Sequence, residues 1–185
     1  MSCQIAYGRK EECKDSISGL QAIYIINYGI APADITYAAL NPDEITDITG
    51  VATVYKYELK GTNAFEQTIN SSRENGTTFF EQSLTIQLKR QDPLTHLTFK
   101  NLAYGRPHII VHTRNNQFFL AGAFEGCDVT TGTVSSGTAY GDFNGYGLTF
   151  VANEKLPANF IDATDETDLL TTVLNGAVIG AYVNP

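Results

Sequence analysis

The chain has 185 residues, 43% of them hydrophobic, with 10 Phe, 10 Tyr and no Trp, which is material for one sizeable core in a single domain. Twenty acidic residues against 12 basic ones leave a net charge of −8, with no basic cluster beyond Arg9-Lys10 and "LKR" at 88–90, which excludes a protein whose affinity is built on phosphate contacts. The three cysteines, Cys3, Cys13 and Cys127, are an odd number in a chain that needs no staples, so they read as reduced thiols of the cytosol.

In chain order, Arg9, Lys10 and Lys14 precede an apolar run ending in Ala-Pro-Ala at 31–33. Glu11, Glu12 and Asp15 spoil that basic flank, and Gln21 and Asn27 interrupt the run, so a strand is expected over 20–27 rather than a signal sequence. No segment reaches the roughly 20 apolar residues of a membrane span. Pro32, Asn41 and Pro42 mark a loop, and "GVATVYKYEL" at 50–59 is the next strand.

Residues 63–89 then predict a long hairpin turning at Arg73, Glu74, Asn75 and Gly76. Its return arm, 77–89, would stretch roughly 43 Å at about 3.3 Å per residue, twice the usual strand. One face of that arm carries Thr78, Phe80, Gln82, Leu84, Ile86 and Leu88; the other carries Thr77, Phe79, Glu81, Ser83, Thr85, Gln87 and Lys89. On the outgoing arm Phe65 and Ile69 alternate with Glu66, Thr68 and Asn70. Each arm therefore has an apolar side for a core and a polar side for water. Left alone, such a ribbon presents long unpaired edges; pairing with the hairpins of neighbouring copies in a closed ring removes them. The polar faces, with Glu66, Thr68, Asn70, Glu81, Ser83, Thr85 and Gln87, would then line a shared channel.

Asp92 as N-cap, Pro93 in the first turn and Gly105 as a stop predict one helix over 93–104, with Leu94, Leu97 and Leu102 on roughly one side. A hairpin turning at Asn115-Asn116 follows, then strands in "DVTTGTVSS" and "YGLTFVANE" around a loop rich in Gly, Ser and Tyr. The chain divides at residue 160. The extension, 161–185, has no basic residue and predicts a short helix carrying Leu169, Leu170, Val173 and Leu174, stopped by Gly176, and an apolar strand over 177–183. That strand either closes the chain's own sheet or serves as an arm pairing with a neighbour.

Motifs for chemistry are missing. His108 and His112 lie four residues apart on a predicted strand, about 13 Å, too far for two ligands of one zinc. His96 has no sequence partner, and Cys3 and Cys13 lack metal or redox spacing. "GTVSSGTAYGDFNGYG" lacks the Lys and Ser/Thr of a P-loop, and no nucleophile elbow occurs. The reading is of a non-enzyme with no catalytic residues, no metal and no cofactor.

The segments "CKDSISGLQAIYIINYG" (13–29), "VYKYELKGTNAFEQTINSSRENGTTFFEQSLTIQLKR" (54–90), "LAYGRPHIIVHTRNNQFFLAG" (102–122) and "GYGLTFVANEKLPANF" (145–160) together resemble the tail-tube and connector-ring proteins of tailed bacteriophages, nearest those of crAss-like phages. The resemblance runs in order over most of 13–160. It implies a mainly β fold, a tail-tube-like β-sandwich or split barrel with a long hairpin and one flanking helix, assembling into a homo-oligomeric ring of six or twelve copies. It implies a structural virion protein in the tail tube or head–tail connector, made in the host cytoplasm, touching an adjacent ring, portal or tail protein and no membrane, and letting viral DNA pass without sequence preference. The rival reading is a β-sandwich receptor- or carbohydrate-binding virion module, drawn from Tyr140, Phe143 and Tyr146 with His108 or His112 nearby.

Overall fold

The computed structural model describes residues 8–11 and 13–183, so Cys3 lies outside the described residues. The fold is mainly β, 43% strand and 13% helix, in two sheets. The strands are β1 (Leu20–Ile26), β2 (Ile35–Tyr37), β3 (Glu44–Ile48), β4 (Thr53–Glu58), β5 (Ala64–Ser72), β6 (Thr77–Lys89), β7 (His108–Thr113), β8 (Phe118–Ala121), β9 (Asp128–Ser135), β10 (Gly145–Glu154), β11 (Asn159–Ile161) and β12 (Val178–Ile179). Helix α1 spans Pro93–Tyr104; α2 is one turn, Glu166–Asp168, continued by a π-helical turn over Leu169–Val173. The larger sheet has the order β12-β4-β1-β7-β8-β11-β3-β2 and the smaller β5-β6-β10-β9.

The two sheets share a core. Ile23 and Ile25 of β1 and Ile109 and Val111 of β7 meet Leu84 and Ile86 of β6 and Leu148 and Phe150 of β10 in one buried cluster. The central strands β1 and β7 bury both faces, which is why "LQAIYII" and "HIIVHT" read as near-continuous apolar runs rather than alternations. On the far face, Tyr24 and Val54 join Ile35, Ile45 and Ile48 of β2 and β3 in a second cluster, so the larger sheet curls until its two ends share a core. Leu169, Val173, Leu174 and Ala177 fill that curl. The extension after residue 160 is thus packed into the same core as β1. Asn175 ties it to β3, its Nδ2 donating to Asp47 Oδ1 at 2.6 Å.

Several local expectations need correction. The stretch between 27 and 50, expected as a loop, contains β2 and β3, short strands bounded by Pro32 and Pro42. The strand expected over 177–183 is only Val178–Ile179, and it pairs in parallel with Thr53 and Val54 of the chain's own β4. Helix α1 is capped as expected, Asp92 Oδ2 accepting from the N–H of Leu94 and Thr95 at 2.8 and 2.9 Å. Its packing face differs: Leu94 and Leu97 are 59% and 55% exposed, and it is Phe99 and Leu102 that lie against the core. Phe99 reaches the sheet because Gly132 of β9 offers no side chain there; a Cβ would stand 2.8 Å from the Phe99 ring.

The correction that matters most concerns the hairpin. Its two arms and the turn between them form as expected, Ala64 to Ser72 pairing with Thr85 to Thr77 around a turn at 73–76 in which Gly76 has φ +63°. The expectation that neighbouring copies satisfy both arms does not hold for the return arm, because β10 pairs with β6 from Phe80 to Lys89. Strand β6 is an interior strand, and only residues 77–79 reach beyond β10.

Candidate functional site

The outward face of the smaller sheet is built by the two-residue period of four antiparallel strands. Opposite the core positions Leu84, Ile86 and Phe150 stand rows of mostly polar side chains that run across the sheet. One row is Ala64, Thr85, Thr149 and Thr131; the next is Glu66, Ser83, Val151 and Asp128; a third is Thr68, Glu81 and Asn153. Gln87, Gly147 and Thr133 form a row on the side away from the turn. Asn70 faces Phe79 near the tip, and its Nδ2 donates to Glu81 Oε2 at 3.5 Å. Thr85 and Thr149 hydroxyls meet at 3.4 Å. All seven residues expected to line a channel, Glu66, Thr68, Asn70, Glu81, Ser83, Thr85 and Gln87, are brought onto this one face. Glu66 is exposed and Glu81 half-buried, neither in the core.

What the strand alternation of 63–89 did not reveal is the contribution of β9 and β10. Thr149, Asn153, Thr131 and Thr133 extend the same hydroxyl-rich surface. Their own alternation with Leu148, Phe150, Gly132 and Val134 carries the signal, but a bulge at Thr130 shifts the register of β9 by one residue and breaks the pattern.

The turn residues Arg73, Glu74, Asn75 and Gly76 are all exposed, with the Asn75 N–H donating to Ser72 Oγ at 3.3 Å. Around them Ile69 is 65% and Phe79 39% exposed, so the tip carries apolar surface beyond the reach of the core. The sheet's outer strands, β5 and β9, each pair on one side only among the described residues. Because every pairing within the sheet is antiparallel, β5 and β9 run in opposite directions.

Behind this face, buried polar groups join the sheets. Gln82 of β6, on the core side, accepts from the Gly122 N–H at 3.0 Å and donates to the Leu156 carbonyl at 3.3 Å. Glu154 of β10, 3% exposed, accepts from the N–H groups of Phe124 and Glu125 at 2.9 Å each. Burial pushes its carboxyl above the ordinary range, and the two N–H bonds offset only part of that. A carboxyl whose folded pKa is raised adds stability that is full below about pH 4.5, its unfolded value, and is lost as pH rises through the folded value. Glu154→Gln keeps an acceptor for both N–H groups and carries no charge. Denaturant titrations from pH 4 to 8 are expected to show the variant gaining on the wild type as pH rises above about 4.5, and a constant difference across that range would count against a raised carboxyl.

Of the histidines considered for chemistry, His96 is exposed on α1, while His108 and His112 are buried and hydrogen-bonded within the larger sheet. His108 is fully buried, its Nδ1–H donating to the Gly122 carbonyl at 2.6 Å while Nε2 accepts from the Gly29 and Ile30 N–H groups at 3.3 Å, and Tyr28 stacks on its ring. Burial lowers its pKa, keeping it neutral. His112 stacks on Phe118, with Nε2 and Asn116 Oδ1 3.0 Å apart. Among the described residues no three His, Cys, Asp or Glu side chains converge as a metal site would require. Of the residues named for sugar binding, Tyr146 is 1% exposed and bonded to Asp92 under α1, and both histidines are buried, which leaves Tyr140 exposed and Phe143 half-buried on the loop between β9 and β10. No helix among the described residues is long and apolar enough to cross a membrane. No protein-family model, curated protein or solved structure matches the chain.

Proposed function

We propose that the protein is a structural subunit of a bacteriophage tail tube or head–tail connector, closing with copies of itself into a ring whose bore is the path of the viral DNA. One observation carries this reading: a four-stranded antiparallel sheet with a polar outward face ends in two open strands, β5 and β9, that run in opposite directions. In a ring, β9 of one copy would meet β5 of the next in antiparallel pairing, and a single continuous barrel would leave no edge. Six copies would supply 24 strands; at about 4.8 Å between strands and a tilt of roughly 38° the barrel would be about 46 Å across. That width admits duplex DNA with a layer of water around it, whereas twelve copies would double it.

The wall of such a bore is threonine, serine and amide surface with Glu66, Glu81 and Asp128 standing in it and Lys89 at the end away from the turn. Sparse, mainly acidic charge on a hydrated wall provides few counterion-releasing contacts to phosphate, so the duplex can slide. The turn 73–76 and its apolar flanks Ile69 and Phe79 would project from one rim of the ring towards an adjacent ring, portal or tail protein in the virion.

Electron micrographs of the concentrated protein test this. Rings are expected, and hydrogen exchange is expected to slow on assembly at outward amides of both 64–72 and 128–135. Rings that form while those amides exchange as in the monomer would overturn the edge-to-edge closure. Deleting two residues from the turn 73–76 is expected to leave the fold intact, since β6 is held by β10, and to prevent stacking of rings into tubes.

A further inference from the structure

A second open edge lies on the other sheet. Strand β4 pairs with β1 along Tyr55 to Glu58, but on its far side β12 covers only Thr53 and Val54. Gly180 N–H donates to the Val54 carbonyl at 2.8 Å, which fixes the main-chain groups of Val54 on the β12 side. Strand geometry repeats every second residue, so the N–H and C=O of Lys56 and Glu58 point the same way, past the end of β12. No main-chain partner meets them among the described residues.

These groups open into a cleft of about 1160 Å³ between β4, α1, the end of β6 and Gly180–Val183. That is larger than the roughly 300–1,000 Å³ of a small-molecule pocket. Its floor is aromatic, with Tyr55, Tyr57 and Tyr182. Its charge opposes that of the whole chain: five of the 12 Lys and Arg residues line it against one acid, Glu58. Lys56 is held by Glu166 at 2.6 Å and Arg106 by Asp128 at 3.3 Å, while Lys60 and Lys89 stand at the cleft without an ion pair among the described residues.

We propose that this cleft is a docking site for an extended acidic segment of a partner protein, which adds to β4 as a new edge strand. Main-chain bonds to Lys56 and Glu58 would supply the pairing, and the lysines would select carboxylates on the incoming strand. The site is separate from the β5 and β9 edges, so it does not depend on ring closure.

The probe is a synthetic eight-residue peptide alternating Asp and Val, titrated into the full chain. Two controls accompany it: a peptide alternating Lys and Val, and one of the probe's composition with all its valines placed before all its aspartates. The alternating acidic peptide is expected to bind and to slow amide exchange at Lys56 and Glu58 about tenfold. Glu58→Pro removes one edge donor on a strand border where proline is tolerated, and is expected to weaken binding roughly tenfold while Glu58→Gln does not. Lys60→Glu with Lys89→Glu, both on the surface, is expected to weaken it similarly and remains informative if the proline variant does not fold. Absence of binding at about 1 mM peptide would overturn the proposal. So would equal binding of either control peptide, or binding that leaves Lys56 and Glu58 exchange unchanged. Protection of those two amides on raising protein concentration alone would replace the partner protein by a second copy.

Discussion

In the proposed ring, replacing Glu66 and Glu81 together with lysine is expected to turn release of duplex DNA into retention. Both carboxylates lie on the outward face of the smaller sheet, and the bond that Glu81 accepts from Asn70 is a weak one at 3.5 Å, so the fold should tolerate the change. Each substitution exchanges a negative for a positive charge and, in the proposed ring, would be repeated in every copy around the bore. Lysines at that radius can neutralise phosphates and release counterions, so retention should fall with salt at a slope of about −0.9 per phosphate contacted. In a filter or mobility assay at low salt the gain should be about a hundredfold in apparent affinity, and should vanish at high salt. Glu125→Lys with Asp162→Lys, on loops of the other sheet, makes the same change in net charge away from the proposed bore. Equal DNA retention by the two double variants would show that net charge alone is responsible and would remove the inner-wall assignment.

Phe150→Ala is expected to be the most damaging single truncation for the fold. Phe150 is completely buried, sits on the interior strand β10 between Leu84 of β6 and Val129 of β9, and faces the other sheet across the shared core. Neighbours on both sides are fixed by ladders, so the void cannot collapse, and the cost should be about 3–5 kcal/mol. Against a total stability of roughly 5–15 kcal/mol this removes a large fraction, and thermal unfolding should begin about 10 °C earlier. Phe160→Ala offers the contrast. Phe160 packs on Phe119 with ring centroids 4.5 Å apart but is 44% exposed, so its loss should cost about 1–2 kcal/mol.

The parts of the fold legible in the sequence are those specified by local chemistry. The turn at 73–76 and the Asp92-Pro93 start of α1 each rest on side chains acting within four residues of themselves, whereas the Asn115-Asn116 turn is legible from its backbone chemistry although its side chains also reach Ser16, Ile17 and Thr164. Asn116 adopts the left-handed conformation that its side chain tolerates, with φ +57°. The alternation in 64–72 and 77–89 likewise placed Glu66, Thr68, Glu81 and Ser83 on one face before any partner strand was known. Legibility ends where pairing is distant. That β10 covers β6 depends on segments separated by helix α1 and three strands, and nothing in "TTFFEQSLTIQLK" marks its second edge as occupied. Strands β2 and β3 are three and five residues long and lie among prolines, so turn chemistry hid them. Leu94 and Leu97 misled because helical spacing selects a face only when a core lies opposite it, and here Gly132 draws Phe99 inward instead.

The insertion of Leu169, Val173 and Leu174 into the curl of the larger sheet has a consequence for biosynthesis. Leu169, Val173 and Leu174 must leave the ribosome before Tyr24, Ile45 and Val54 find their final neighbours, so the nascent polypeptide emerges with an oily groove awaiting its stopper. Premature termination upstream of Leu169 is therefore expected to leave a sticky, chaperone-dependent product.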